Sequence, residues 1–544
     1  MMKKQIQDAL RDFHNGTLSV AHAYFGCHEE YVDREYIYTF RTFFRGCDTV
    51  YLASDLTGWG KGQEMQPIGD GVYETSIRSA SSLAGQAYKF RIVKDGVSTY
   101  CADPFAFMCE AGGGRASLIA ADSSYAFRDE GWLLYRKNIA PVQAARPMNV
   151  YEVDLGAFMS KKVATSTSYS ALAEKLIPYA KHMGYTHILL LSPYETVDDA
   201  VSLLAPRSFF GSPNDFRYFI SAAHAAGLGV LLDSIPVGYD LTEPEARSLL
   251  LSSWFYFADA YHADGYILHS YRCCGVWNTA HGGNTVIPDM QMLLKEMIAD
   301  LRAEHEDIIL ISDLEDAGAF FYDAKEARAL IDCLKKTKKQ QLPSLLPSRT
   351  TFFSLSQDTL SSGSGTLLSS IDGNYDERFS VFRLAMLYMM TAPQKKLLAM
   401  GNEFASFRAS SADMPLEWFL LDFPSHRDIR DYTRALNHFY LAHRTLWEKA
   451  TETEAMIFER EVLRFRRTAS SGRYLQILLS FSDKVCEHLP VDTECSAFTA
   501  LFSTHPEMGH GERIAVLDRD SGRTLDLKLP PLCGVILAPI DKCI

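Results

Sequence analysis

The chain is predicted to be an α/β protein, a (β/α)8 TIM barrel flanked by an N-terminal β-sandwich and a C-terminal all-β domain. Three changes of texture predict it. Residues from about 20 to 128 read as short strands broken by Gly, Asp and Ser turns. After Pro141 strand-like runs alternate with amphipathic helices, the pattern of a parallel α/β array. From about residue 455 short strands return. The implied boundaries are 1–19 for an N-terminal helix, 20–128 for the sandwich, 129–454 for the barrel and 455–544 for the last domain.

Taken in order, Ile6, Ala9, Leu10 and Phe13 fall at helical spacing, with Gly16 as the stop. Tyr36–Phe40 and Val72–Ile77 alternate as half-buried strands do, and Val50–Leu52 follows a turn. Asn149–Val153 opens the barrel, and Leu172, Leu176, Ile177, Ala180 and Met183 mark one face of the helix behind it. His187–Leu191 and Gly229–Asp233 are apolar runs of the buried parallel type. Between them Ser212-Pro213-Asn214-Asp215 is a helix start, with Ser as cap, Pro at the first position and Asp in the first turn, and Gly227 ends that helix. Asp264–His269, Ile308–Asp313, Phe352–Asp358 and Lys396–Met400 supply four more strands, which makes seven; the sixth in barrel order falls somewhere between Ala319 and Ser348.

Composition narrows the function. The 544 residues are 47% apolar and carry a net charge of −13. That balance argues against nucleic acid, whose phosphates need clustered Lys and Arg, and suits a neutral polymer. No apolar run approaches the roughly 18 residues of a membrane span. Lys3 and Lys4 are followed by no uninterrupted apolar stretch, so no signal peptide is expected. The 11 cysteines are scattered without a C-x-x-C pair, which implies free thiols and a cytoplasmic location. Cys273-Cys274 reads as small apolar residues near a strand end, and Lys335–Lys339 as a solvated helix end.

Several segments carry a resemblance. Tyr24-Phe25-Gly26-Cys27-His28, Asp55-Leu56-Thr57-Gly58-Trp59, Tyr88-Lys89-Phe90 and Ala102–Ala106 come first. Gly184–Ile188, Lys395–Phe404, Leu416–Leu421 and Leu529-Pro530-Pro531-Leu532 follow. In that order and spacing the chain resembles, essentially end to end, the bacterial 1,4-α-glucan (glycogen) branching enzymes of the α-amylase superfamily (glycoside hydrolase family 13). The resemblance implies that 20–128 is a glycogen-binding-type module and that chemistry sits at the C-terminal ends of the barrel strands.

At those ends this chain departs from its model. Strand three of the family ends D-x-V-P-x-H; here Asp233 is kept and Gly238 replaces the sugar-binding His. Strand four follows D-G-(L/F)-R-(V/L)-D; Asp264 and Gly265 are kept, but Ile267 stands at the Arg and His269 at the nucleophile. On strand five Asp313 stands at the acid/base Glu, one methylene shorter, and strand seven keeps Asp358, the position that stabilises the transition state, while Gln357 replaces a His. The stacking Tyr of the W-G-Y-Q segment has no counterpart in Thr196–Asp199. About 30 residues separate Asp233 from Asp264, roughly half the family's usual number, so the loop face that carries barrel chemistry is short.

Retaining glucan transfer needs a carboxylate nucleophile about 5–5.5 Å from an acid, flanking an oxocarbenium-like transition state. A neutral His269 offers that cation no negative charge, and a protonated one repels it. Asp233, Asp313, Glu315, Asp316 and Asp358 still form an acidic set suited to an inverting hydrolysis with carboxyls about 6.5–9.5 Å apart, or to a cation held by oxygen ligands; remnants and helix caps account for the same residues. In the sandwich, Trp59 would offer a glucose ring an apolar face and Lys89 a donor, with Val97 and Ser98 where related modules place a second Trp and Tyr100 or Tyr73 as substitutes. The expectation is a catalytically degenerate homologue without metal or cofactor that binds α-glucan or a partner enzyme of glycogen metabolism. An active branching enzyme with a rearranged site, and a protein-binding scaffold without sugar affinity, are the alternatives.

Overall fold

The computed structural model describes residues 2–111, 115–121, 125–159, 168–197, 200–269, 275–278, 283–286, 288–334, 351–361, 365–409, 414–448, 452–453, 457–459, 461–505, 508, 511–520 and 522–540. Cys273-Cys274, Lys335–Lys339 and Asp198-Asp199 lie outside them. Two compact units form: Met1–Ala140 with Thr165–Ile177 and Leu190–Ala319, and Pro141–Ala164 with Pro178–Leu189 and Phe320–Ile544.

The barrel strands are β1 (Asn149–Asp154), β2 (His187–Leu191), β3 (Gly229–Ser234), β4 (Gly265–Leu268), β5 (Ile309–Ser312), β6 (Phe320–Phe321), β7 (Phe352–Leu355) and β8 (Lys395–Ala399). They are hydrogen-bonded in the order β6-β5-β4-β3-β2-β1-β8-β7, and an isolated parallel bridge between Tyr322 and Phe352 links the two ends. Their runs are apolar without alternation because both faces are covered: every residue of β3, β4, β5 and β7 is buried. β6 is only two residues long, too short to show a period in the sequence. The run ending at Asp358 is a strand only to Leu355; Gln357–Ser361 is a helix, because the Ser356 Oγ accepts the Thr359 N–H at 3.2 Å and caps it. An antiparallel hairpin, Tyr194–Val197 with Ala200–Pro206, follows β2 and was not anticipated in the sequence.

In the first unit the N-terminal helix Met2–Asn15 buries Ala9, Leu10 and Phe13. It docks on the helix Pro244–Ala260, where Ser248 Oγ donates to the Phe13 carbonyl at 3.0 Å and His14 Nδ1 meets Glu245 at 2.8 Å. The sandwich strands Glu35–Phe43 and Val72–Ser79 contain the two segments expected from alternation, and Thr49–Ser54 contains the one expected after a turn. Ser212 and Asp215 form a full capping box on the helix Pro213–Ala225. Seven described cysteines carry free thiols but Cys495 is disulfide-bonded, a correction to the expectation of free thiols throughout, since an odd total does not stop one pair from meeting. No described helix is long and apolar enough to cross a membrane.

β4 is fixed by a buried polar cluster at its N-terminal end. Trp132 Nε1 donates to Asp264 Oδ1 at 2.8 Å and Arg136 to the same oxygen at 3.1 Å. The Val230 N–H and His224 Nε2 reach Oδ2 at 2.6 and 2.9 Å. His224 Nδ1 in turn meets Asp129 at 2.6 Å, and Arg136 also pairs with Asp307 at 2.6 Å. Burial alone would raise the Asp264 carboxyl, but the charge and hydrogen bond of His224, then Arg136, hold it below the usual range. Burial likewise works against a charged His224, yet Asp264 and Asp129 push it up to about 9. The next residue must be glycine: a Cβ on Gly265 would lie 2.0 Å from the Ile309 carbonyl oxygen.

These groups set a pH dependence. The raised value of His224 means its stabilisation is complete below its ordinary 6.5 and is lost as pH rises through about 9. Asp103 and Glu403, each lifted by burial to about 7, favour the fold in their protonated form and run the same way. The depressed Asp264 opposes them only in acid, where its stabilisation disappears as pH falls below its ordinary 3.8. Thermal stability is therefore expected to fall from about pH 4 to 9, through the two carboxyls up to about 7 and through His224 from 6.5 to about 9, each group adding a slope of at most about 1.4 kcal/mol per pH unit in its window. His224→Gln should flatten the upper part of that limb in a pH series of melting curves.

Candidate active site

Within the first unit, the C-terminal ends of β3, β4 and β5 carry the altered positions. Parallel register sets Asp233 beside Ile267, and Ile267 beside Ile311. Ile267 is buried, so an aliphatic side chain fills the place where the resemblance puts a guanidinium. His269 follows the last residue of β4 and is 4% exposed; its Nε2 lies 3.4 Å from Oδ1 of Asp233, itself 2% exposed. Asp233 is thus turned toward the imidazole that stands where the resemblance puts the nucleophile. Below the pair, Trp254 Nε1 donates to Ser234 Oγ at 2.8 Å and the Tyr266 hydroxyl to the Trp254 carbonyl at 2.5 Å. Asp313 is half-buried just beyond β5, Glu315 and Asp316 are exposed, and Gly238 lies exposed in a left-handed conformation with φ 90°.

The second unit holds the other expected positions. Gln357 and Asp358 are half-buried at the first turn of their short helix, where a carboxylate favours the N-terminal end. The Gln357 N–H donates to Glu152 Oε2 at 2.6 Å. Glu152 is a buried carboxylate inside β1 that strand reasoning passed over, although an acid in the apolar run Asn149-Val150-Tyr151-Glu152-Val153 was the available signal. The cleft lined by Glu152, Gln357, Thr366 and Asn402 measures about 10 Å³, the space of a single water. Among the described residues no group of three His, Cys, Asp or Glu is placed to hold a metal ion.

On the sandwich, Trp59 is 37% exposed, and its indole N–H donates to Asp55 Oδ1 at 2.7 Å. The Tyr100 hydroxyl donates to the Trp59 carbonyl at 2.8 Å, so the two exposed rings share one region. Tyr100 pairs in register with Arg91, whose guanidinium stacks 4.0 Å over Tyr51 and donates to the Lys61 carbonyl at 2.8 Å. Lys89, half-buried, is two residues back on the same strand, opposite Ala53. Arg91 and Tyr51 were not singled out in the sequence, though the alternation Tyr88-Lys89-Phe90-Arg91 places both cations on one face. Tyr73 is excluded as a stacking ring: it is 8% exposed, belongs to the sandwich core and donates to the Cys47 carbonyl.

No family model matches the chain. It is 28% identical over 469 residues to the 1,4-alpha-glucan branching enzyme GlgB of Desulfitobacterium hafniense, covering 73% of this chain and 74% of that one. It is 28% identical over 502 residues to the corresponding Bacillus subtilis enzyme, covering 80% and 79%. The fold matches a putative alpha amylase from Salmonella typhimurium with TM-score 0.68 at 17% identity, over 94% of this chain and 99% of that one. It also matches a type I pullulanase from Bacillus subtilis complexed with maltose, with TM-score 0.69 at 14% identity, over 95% and 85%.

If the His269–Asp233 contact supports the strand ends, the two residues are energetically coupled. Asp233→Asn, His269→Gln and the double variant should show a coupling of about 0.5–3 kcal/mol in denaturant unfolding. Additive effects would mean that the 3.4 Å contact carries no stability.

Proposed function

We propose that this chain, a branching-enzyme-like protein of the α-amylase superfamily, is a catalytically degenerate member that binds α-glucan in the cytoplasm without transferring it. The observation that carries this reading is His269, buried and set against Asp233 where the resemblance requires a carboxylate nucleophile. Transfer with retention places negative charge beside an oxocarbenium-like centre. Imidazole supplies none, and Ile267 offers no cation to tune a nucleophile. Asp313 and Asp358 occupy the remaining catalytic positions of the resemblance, but an acid and a stabilising carboxylate cannot form a covalent intermediate without the attacking oxygen. Losing such a member of a catalytic unit lowers turnover by about 10⁴ to 10⁶.

Glucan binding rests on the sandwich. Trp59 and Tyr100 offer apolar ring faces to pyranose C–H groups, and Lys89 and Arg91 offer donors to hydroxyls. The relatives are named for action on α-1,4-glucan, which makes a glucan the natural occupant. A partner enzyme acting on the same polymer would then be gathered on it by avidity rather than by direct contact.

The test pairs an amylose assay, read by iodine staining and by reducing ends, with glycogen co-sedimentation. No branching or hydrolysis is expected from the parent, Asp313→Ala or Asp358→Ala proteins at high concentration, whereas the parent should pellet with glycogen. Trp59→Ala should weaken that binding by about tenfold, as loss of one stacking ring does. Activity abolished by either Asp substitution would refute the proposal. An inactive protein that also ignores glycogen would leave a protein-binding scaffold.

A further inference from the structure

The first unit also carries an open pocket of about 470 Å³ whose residues come from the sandwich side and from barrel helices. Its size falls in the range that takes a small molecule rather than a polymer. Arg217, on one wall, is 6% exposed. Its Nε donates to the Ala260 carbonyl at 2.8 Å, its NH1 to Asn214 Oδ1 at 3.0 Å, and its guanidinium lies 4.3 Å over the Tyr261 ring. Among the described residues no carboxylate lies within ion-pair distance of it. A buried cation without a counter-ion is costly, and the open space beside this one is where a counter-ion fits. The helix N-terminus nearby does not carry the argument, since Ser212 and Asp215 already cap it.

The other walls define the rest of the occupant. His22 and His28 both line the cavity, anchored by Ser252 Oγ at 2.8 Å and the Phe25 carbonyl at 2.9 Å. Burial, then the charge of its neighbour His28, lowers His22 to about 4, so near neutral pH this ring is uncharged and meets an anion with a ring N–H rather than a charge. Phe107 and Tyr256 pack with ring centroids 5.3 Å apart and give an apolar wall. Glu29 supplies a carboxylate acceptor at the rim.

We propose that this cavity binds a phosphorylated monosaccharide, with its phosphate held by Arg217, Asn214 and the two histidines. The sugar ring lies against Phe107 and Tyr256, and Glu29 accepts from its hydroxyls. The site is independent of the barrel's strand ends.

The test is calorimetric titration of the full chain with glucose 6-phosphate, glucose and inorganic phosphate as separate probes. Glucose 6-phosphate is expected to bind at least tenfold tighter than either of the others. Arg217→Lys, which keeps the charge but loses the fork, and His28→Gln, which leaves the guanidinium in place, should each weaken it by about tenfold. Melting curves verify that both variants are folded. Equal binding of glucose would overturn the anion assignment, and equal binding of inorganic phosphate would overturn the sugar assignment. No binding by any probe, or unchanged binding in both variants, would overturn the site itself.

Discussion

Asp264 is a carboxylate buried at the root of β4 that accepts from Trp132, Arg136, His224 and the Val230 amide at once. Those donors come from the segment before the barrel, from the helix Pro213–Ala225 and from β3. Removing Arg136 or His224 leaves a buried charge underpaired, a loss of about 3–5 kcal/mol. The cluster thereby fixes the height of β4 against β3, and Gly265 fixes its closeness to β5. Conservative chemistry at the N-terminal face of a barrel reads as stability.

The opposite ends of the same strands follow another logic. Along β4 the residues that hold the strand, Asp264 and Gly265, match the family pattern, and those that would touch a sugar, Ile267 and His269, do not. Frame and site are separable because the frame's polar groups are satisfied within the protein, whereas the site's would be satisfied by substrate. On the proposed reading, a strand end without its catalytic carboxylate must satisfy its remaining polar groups within the protein. His269 lies against Asp233, and Glu152 accepts from the Gln357 amide. The cleft beside Glu152 has room for only one water.

Much of the frame was legible because it depends on local pattern. The β3 run, the Ser212 capping box and the helix ending before Gly227 follow from periodicity and cap chemistry. The substitutions on β4 were legible because register carries motif positions to fixed places. What stayed hidden was either too short or set by tertiary contact. β6 has two residues, the Tyr194–Pro206 hairpin lacks a strong turn signal, and Ser356 stopped a strand that hydrophobicity alone would extend. The hydrogen bonds of Arg217 and His224 reach partners 43 and 95 residues away, and no spacing rule connects them.

The central claim is that no residue here can form a covalent bond to the anomeric carbon. The direct measurement is the intact mass of the protein after prolonged incubation with an activated 5-fluoro-α-glycosyl fluoride, which traps the glycosyl-enzyme of a retaining mechanism. The account predicts an unchanged mass for the parent chain. A stoichiometric glycosyl adduct, mapped by peptide digestion to any carboxylate at the strand ends, would contradict it.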